Sequence, residues 1–247
     1  MSTLVLLRHG QSYWNELNLF TGWVDVDLSE LGERESHEAG VLLRDEPNLS
    51  LDVVYTSVLT RAVHTAEIAL SIANRSYLPT HRHWRLNERH YGALQGLNKK
   101  ETAEKFGLDQ VTLWRRSYSI PPDPVEKSDI NHPINDLRYA TVPERALPAT
   151  ECLADVVKRA VPYFEDVIAQ DLYANKTVLV VAHGNSIRAL RKYIEEISDD
   201  DITKMEIPTG IPFVMHLDDK LFPTEQRYLG DQEAALAAAE AVRRQAG

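Results

Sequence analysis

Three short apolar runs rich in valine and leucine mark the chain at residues 3–7, 51–55 and 177–182. They do not alternate strictly between apolar and polar positions, which is typical of strands buried on both faces. Helical patterns lie at residues 31–43, 57–73 and 186–197. Strands separated by helices predict an α/β fold: an open, mostly parallel sheet with right-handed crossovers and helices on both faces.

The regular pattern loosens between about residues 89 and 148, where prolines cluster and Asp and Asn are frequent. Loops of this length are usually functional or disordered. We interpret this stretch as a long, partly helical excursion inserted into a single domain of residues 1–247. The alanine-rich segment at residues 231–247 predicts a helical tail, and whether it packs down or frays is left open by its length.

Composition narrows the class of protein. The one cysteine, Cys152, excludes an internal disulfide and a cysteine cluster for zinc. The apolar stretch before Arg8 is too short for a signal peptide, and no run is long enough to span a membrane, so we expect a cytoplasmic protein. A net charge of −10 disfavours nucleic acid and anionic membranes as partners, so any anionic metabolite needs a local concentration of cations.

The first and third predicted strands end in the same small pattern. Residues 5–12 read Val-Leu-Leu-Arg-His-Gly-Gln-Ser, and residues 179–186 read Leu-Val-Val-Ala-His-Gly-Asn-Ser. One histidine at a strand end is more often an ordinary hydrogen-bonded residue than a catalyst. Because ligands collect outside the carboxyl ends of parallel strands, two in matching contexts predict that His9 and His183 face one site. We expect the glycine after each histidine to let a ligand approach the backbone.

This pattern suits phosphoryl transfer. A neutral imidazole can attack a phosphoryl group and form a covalent intermediate. Arginine neutralises the equatorial oxygens, and Arg8 adjoins His9 while Arg61 lies in the first turn of a predicted helix. A cationic setting should also keep His9 neutral. Taken alone, Arg61 would be read as a solvated helix residue.

Other chemistries have weaker support. The sequence has no His-Glu-x-x-His, no Walker-type loop, no Gly-x-Gly-x-x-Gly and no Gly-x-Ser-x-Gly. His81 and His83 could offer two metal ligands on one strand face, but no third ligand stands at a telling spacing. We therefore predict no metal site.

Several stretches resemble a known family. Arg8-His9-Gly10 after a buried strand resembles the signature of the histidine phosphatase superfamily, and residues 182–186 resemble its second catalytic histidine. Three further stretches resemble the 2,3-bisphosphoglycerate-dependent phosphoglycerate mutases: residues 20–23, 86–99 and 114–116. The block at residues 86–99 (Leu-Asn-Glu-Arg-His-Tyr-Gly-Ala-Leu-Gln-Gly-Leu-Asn-Lys) is the most specific, and the resemblance extends over essentially the whole chain.

The resemblance implies an activity and a set of roles. It implies interconversion of 2-phosphoglycerate and 3-phosphoglycerate in glycolysis and gluconeogenesis, through a phosphohistidine at His9 that 2,3-bisphosphoglycerate primes, without a metal. It implies that Glu88 is the general acid and base, and that His183, Arg8 and Arg61 stabilise the transferring group. It further implies these substrate-binding residues: Arg8, His9, Gly10, Gln11, Ser12, Asn15, Thr21, Gly22, Arg61, Glu88, Arg89, His90, Tyr91, Lys99, Arg115, Arg116, Gly184 and Asn185.

One residue departs from the family pattern, and rival functions stay open. Gln11 stands where many members carry glutamate, which removes a negative charge beside the phosphate site. The resemblance also implies a dimer or tetramer and a mobile tail at residues 231–247 that covers the loaded site. A phosphomonoesterase of the same superfamily is the main alternative, and a non-catalytic binding protein on this fold is another.

Overall fold

A computed structural model of the protein describes residues 2–244, with side chains described through residue 240. The strands are β1 (Ser2–Arg8), β2 (Val53–Thr56), β3 (Thr80–Arg82), β4 (Thr177–Ala182), β5 (Phe213–Leu217) and β6 (Pro223–Tyr228). The α-helices are α1 (Tyr13–Glu16), α2 (Glu30–Asp45), α3 (Thr60–Ile72), α4 (Lys99–Phe106), α5 (Leu108–Arg116), α6 (Leu153–Tyr163), α7 (Ala169–Tyr173), α8 (Gly184–Ile194), α9 (Asp199–Ile202) and α10 (Gln232–Arg244). A π-helical turn at Phe164–Ile168 joins α6 to α7.

The strands form one sheet in the order β3-β2-β4-β1-β5-β6. The first four are mutually parallel, whereas β5 and β6 run antiparallel. The predicted mostly parallel α/β sheet is therefore confirmed. The three strands that the sequence pattern indicated are β1, β2 and β4, the central ones.

The two faces of the sheet carry separate apolar layers. Along β1, Leu4 and Leu6 pack with α6 and α8 residues on one face, while Val5 and Leu7 pack with α2 and α3 residues on the other. Because both faces are covered, β1 reads as a continuous apolar run rather than an alternating one. Burial on both sides fixes the register of β1, and with it the place where the strand ends.

Side-chain caps position the helices that reach the site. Asp25 accepts hydrogen bonds from the backbone N–H and hydroxyl of Thr60, both at 2.7 Å, and so caps α3 just before Arg61. Asn98 accepts from the backbone N–H of Lys100 at 2.9 Å and begins α4 at Lys99. A cap by the N-cap residue itself, as Asn98 provides, contributes about 1 kcal/mol. The two caps hold Arg61 and Lys99 at helix starts.

The two ends of the excursion lie side by side, at His90 and Glu151. The N–H of Glu151 donates to the carbonyl of His90 at 2.9 Å, and the N–H of His90 donates to a Glu151 carboxylate oxygen at 2.8 Å. Between these residues the chain forms α4, α5 and short 3₁₀ turns at Gly92–Leu94, Pro133–Asn135, Leu137–Tyr139 and Glu144–Ala146. A further 3₁₀ turn, Trp84–Leu86, precedes it. The excursion is therefore partly helical.

The tail begins as the helix α10, which covers residues 232–244 of the predicted segment 231–247. Residues 245–247 lie outside the described residues. Ala235 is buried in the apolar layer that contains Phe213 and Tyr228. The mobility of this segment stays a prediction. None of the helices within residues 2–244 has the length and apolar composition needed to cross a membrane.

Candidate active site

The two histidines meet at the carboxyl ends of neighbouring parallel strands. Arg8 on β1 pairs in register with Ala182 on β4, and the N–H of His9 donates to the carbonyl of Ala182 at 3.0 Å. The two imidazoles are buried, and their ring centroids lie 4.9 Å apart in an edge-on arrangement. The fold thus brings His9 and His183 to one point, as the repeated pattern predicted.

The surroundings of His9 favour a neutral imidazole. Its Nδ1 lies 2.6 Å from the carbonyl oxygen of Gly10. A carbonyl only accepts hydrogen bonds, so Nδ1 carries the proton and Nε2 keeps its lone pair. Burial, reinforced by the charges of Arg61 and Arg8, holds the pKa of His9 well below its ordinary value. At neutral pH the ring is therefore uncharged, which nucleophilic attack requires.

The two ring nitrogens of His183 have different surroundings. Its Nε2 lies 2.7 Å from the Ser57 hydroxyl, which accepts from the N–H of Leu59 at 3.2 Å. With that hydroxyl free to donate to Nε2, the ring proton is favoured on Nδ1. Nδ1 is buried and has no hydrogen-bond partner among the described residues. A buried polar atom of this kind is suited to bind an oxygen of a ligand.

Arg8 and Arg61 bring positive charge beside the histidines. Arg61 is buried and donates to the carbonyls of Gly22 at 2.8 Å and Val24 at 3.0 Å. Burial lowers the pKa of Arg61 to about 10, so it stays charged at neutral pH. Arg8 donates to the carbonyl of Ile207 at 2.7 Å. These bonds fix both guanidinium groups through neutral oxygens.

Glu88 lines the same cavity, and one of its two carboxylate oxygens already accepts hydrogen bonds. Its Oε1 accepts from the N–H of Arg89 at 2.7 Å, the N–H of Asn185 at 3.2 Å and the side-chain amide of Asn185 at 2.8 Å. Its Oε2 lies 3.8 Å from the position that a Cβ would take on Gly184. This arrangement leaves Oε2 as the oxygen available to exchange a proton.

The backbone carbonyl of Glu88 is also held in place by side-chain hydrogen bonds. Its carbonyl accepts from the indole N–H of Trp23 at 2.5 Å and from Arg159 at 2.8 Å. Arg159 in turn forms a buried ion pair with Glu151 at 2.6 Å. Glu88 therefore has little freedom to move relative to the strand ends.

The excursion supplies three more cations to the site. Lys99 stands at the start of α4, and Arg115 and Arg116 at the end of α5. Burial, together with the charges of Arg115 and Arg8, lowers the pKa of Lys99 to about 7. Arg89 donates to the carbonyls of Trp114 at 3.0 Å and Arg115 at 3.1 Å, which anchors the end of α5.

One cavity joins these groups. Its wall contains these predicted residues: Arg8, His9, Asn15, Thr21, Gly22, Arg61, Glu88, Tyr91, Lys99, Arg115, Arg116, Gly184 and Asn185. Sequence reasoning missed these wall residues: Leu19, Phe20, Arg188, Glu206 and Ile207. We call Arg8, His9 and Arg61 the inner end of the cavity, together with His183, which is buried beside His9 and does not itself line the wall. We call Lys99, Arg115, Arg116 and Glu206 its outer end.

A signal for Arg188 was present in the sequence. It lies one helical turn after Gly184 on α8, so it points to the same side as the start of the helix. It donates to the side-chain oxygen of Asn185 at 3.1 Å, which turns the Asn185 amide toward Glu88. Glu206 had no local signal, because only the fold brings it to the cavity.

Five residues assigned to ligand binding lie behind the wall instead: Gly10, Gln11, Ser12, Arg89 and His90. Gln11 accepts a hydrogen bond from the Ser29 hydroxyl at 2.8 Å, and Ser12 caps α1. A Cβ on Gly10 would lie 2.2 Å from the carbonyl oxygen of Gly32. Gly10 thus admits the backbone of α2 rather than a ligand, whereas Gly184 does face the cavity.

The alternative metal ligands do not form a site. His83 stacks on Tyr163 with ring centroids 4.0 Å apart, and burial lowers its pKa to about 4. His81 lies on the exposed strand β3 beside Tyr55. Over the part of the chain that the structure describes, no three His, Cys, Asp or Glu side chains are grouped to hold a metal ion.

Fold and site together define an α/β enzyme with two histidines at adjacent strand ends. The model of the histidine phosphatase superfamily (branch 1) matches residues 4–132 and 126–224. The chain belongs to this superfamily and is an enzyme of the phosphatase and mutase type. The superfamily uses phosphohistidine chemistry without a metal.

Solved structures agree with this fold. The alpha-ribazole phosphatase from Shigella flexneri is 20% identical, with a TM-score of 0.68 over 93% of this chain and 96% of that one. A mycobacterial glucosyl-3-phosphoglycerate phosphatase is 23% identical, with a TM-score of 0.67 over 92% and 97%. Bacillus stearothermophilus YhfR is 24% identical, with a TM-score of 0.64 over 88% and 92%. At these identities the likeness concerns the fold alone.

Proposed function

We propose that this chain is a 2,3-bisphosphoglycerate-dependent phosphoglycerate mutase that interconverts 2-phosphoglycerate and 3-phosphoglycerate through phosphorylated His9. The observation that carries the proposal is that one cavity is lined by two groups of cations, Arg8 and Arg61 at the inner end and Lys99, Arg115 and Arg116 from the excursion at the outer end. A ligand with two phosphates, or a phosphate and a carboxylate, matches two groups of cations. A simple phosphomonoester needs only one.

The residues present fit the bisphosphate. The buried Nδ1 of His183 and Nε of Arg8 have no hydrogen-bond partner among the described residues, and both suit phosphoryl oxygens. When bound, 2,3-bisphosphoglycerate would supply the phosphoryl group that primes the enzyme. Lys99, Arg115 and Arg116 would hold its second anionic group.

In this proposal His9 does the covalent work. Its Nε2 forms the N–P bond as the P–O bond of the donor breaks, and it later returns the phosphoryl group to a hydroxyl of the monophosphate. Arg8, Arg61 and His183 neutralise the charge on the equatorial oxygens. Oε2 of Glu88 gives a proton to the departing oxygen and removes one from the accepting hydroxyl, so its protons balance over a cycle.

A phosphomonoesterase is the second candidate. Glu206 forms an ion pair with Arg116 and so reduces the free positive charge at the outer end. Less charge there suits a ligand with a single phosphate. Two of the similar structures are also named as phosphatases. In that reaction water, rather than a second hydroxyl, takes the phosphoryl group from His9.

A mutase assay with and without added 2,3-bisphosphoglycerate tests the proposal. We expect isomerisation to depend on the bisphosphate and to persist in a metal chelator. Inorganic phosphate release that outpaces isomerisation supports the phosphatase instead. Loss of activity in the chelator contradicts both readings.

We further infer that the enzyme works in the cytoplasm as a dimer or tetramer, with small phosphoglycerates as its partners and neither nucleic acid nor membrane. Light scattering of the purified protein tests the assembly. A monomer at micromolar concentration contradicts that part of the proposal.

A further inference from the structure

Glu206 is a carboxylate in a cavity otherwise rich in cations. It follows α9 and directly precedes Ile207, whose carbonyl accepts from Arg8 at 2.7 Å. The N–H of Gly210 donates to the carbonyl of Arg8 at 3.1 Å. These hydrogen bonds tie the backbone around Glu206 to the end of β1. The segment that carries Glu206 is therefore fixed relative to the histidines.

Its partner is Arg116 at the end of α5. The two side chains form an ion pair, and their exposed fractions are 13% for Glu206 and 19% for Arg116. Both line the cavity. The pair thus joins the excursion to the segment after α9 across the outer end, where a ligand's second anionic group would lie.

Three other arginines of the wall are held differently. Arg8 and Arg61 donate to backbone carbonyls, and Arg188 donates to the side chain of Asn185 and the carbonyl of Ile202. Neutral oxygens hold those cations in place and leave their charge for a ligand. The carboxylate of Glu206 instead neutralises Arg116 and repels any anion that approaches it.

We propose that Glu206 is a specificity-determining residue: its carboxylate occupies Arg116 in the cavity and lowers the affinity for ligands that bring a second anionic group to the outer end. This inference rests on the proposed function for the identity of that group. It concerns the outer end only, so ligands that carry a phosphate and no other charge should be nearly indifferent to Glu206.

The test compares two ligands in wild type and Glu206→Gln by titration calorimetry, without bisphosphate. The ligands are 3-phosphoglycerate and glycerol 3-phosphate, which share a phosphate and a hydroxyl but differ in the carboxylate. We expect E206Q to bind 3-phosphoglycerate about five- to tenfold more tightly, and glycerol 3-phosphate within about twofold of wild type. Asp200→Asn removes the same charge from an exposed site on α9 nearby, and it should change neither affinity.

A second variant keeps the result specific to the pair. In an Arg116→Gln background the Glu206→Gln change should alter the affinity for 3-phosphoglycerate by less than about twofold, since the two residues act on one another. Thermal denaturation confirms that each variant is folded.

Other results overturn the inference. Weaker binding of 3-phosphoglycerate by E206Q would make Glu206 a residue that orients Arg116 for the ligand. Equal gains for both ligands would indicate a general charge effect. No binding of 3-phosphoglycerate to E206Q also contradicts it, because a released Arg116 should attract the carboxylate. Isomerisation by the wild-type enzyme is measured separately, so a phosphatase with the expected shift in affinity would contradict the proposed function alone.

Discussion

At the inner end of the cavity the arginines bond to backbone carbonyls, whereas at the outer end Arg116 bonds to a carboxylate. The inner end is also the more buried: His9 is 2% exposed and His183 is fully covered, whereas the Arg116 side chain is 19% exposed. The inner end belongs to the sheet and the outer end largely to the excursion. In the proposed mechanism the inner end makes and breaks bonds and the outer end selects the ligand, so we expect changes at the two ends to affect different kinetic constants.

The largest effect is expected from His9→Ala. Without Nε2 there is no acceptor for the phosphoryl group, so turnover should fall by about 10⁴-fold or more. Isomerisation assays and mass spectrometry for phosphohistidine measure this, with His64→Ala, at a partly exposed histidine on α3, as control. Near-normal turnover in His9→Ala would contradict the mechanism and the assignment of chemistry to the inner end.

Glu88→Gln should have the next largest effect. A glutamine keeps an oxygen where Oε1 accepts from Asn185 but cannot exchange a proton, so kcat should fall by about 10²- to 10³-fold. The affinity for 3-phosphoglycerate, measured by calorimetry, should change little. Glu104→Gln on the exposed side of α4 is the matched control. A rise in KM without a fall in kcat would move Glu88 from the chemical step to binding.

Arg115→Gln tests the outer end. Loss of one charged contact to the ligand should raise KM by about 10- to 50-fold and leave kcat within about threefold. Steady-state kinetics measure this split, and the exposed Arg145→Gln is the control. If kcat fell as far as kcat/KM, the outer end would take part in the transition state, and the two ends would not differ in function.

The smallest effect concerns pH. Since the pKa of Lys99 is lowered to about 7, its ammonium is charged below that pH and loses its proton above it. Affinity for 3-phosphoglycerate should therefore fall several-fold as pH rises from about 7 to 8.5, because an anion binds the charged form. Lys99→Arg, which stays charged, should flatten that fall. Lys100→Arg is the neighbouring control, and calorimetry at several pH values measures it. An unchanged pH profile in Lys99→Arg would exclude Lys99 from this role.

Local patterns carried much of the fold. β1, β2 and β4 were indicated because strands buried on both faces are apolar throughout, and the structure places each within two residues of its expected position. β3 and β6 gave no such pattern. β3 has no buried residue, and β6 is an edge strand with mostly exposed polar side chains. β5 is mostly apolar, but His216 interrupts its five residues between Pro212 and Asp218, and the sequence pattern did not predict a strand there.

The amino-acid sequence alone was enough to place two histidines at the ends of apolar strands, because a strand buried on both faces is apolar at consecutive positions. The sequence also places Arg8 directly before His9. The acidic residue at the outer end, in contrast, could be found only from the folded chain. Arg116 and Glu206 lie far apart in the chain, and their ion pair exists because the excursion folds back over the strand ends. A contact between distant segments leaves no periodicity in the sequence. The net charge at the outer end could therefore not be predicted before the fold was known.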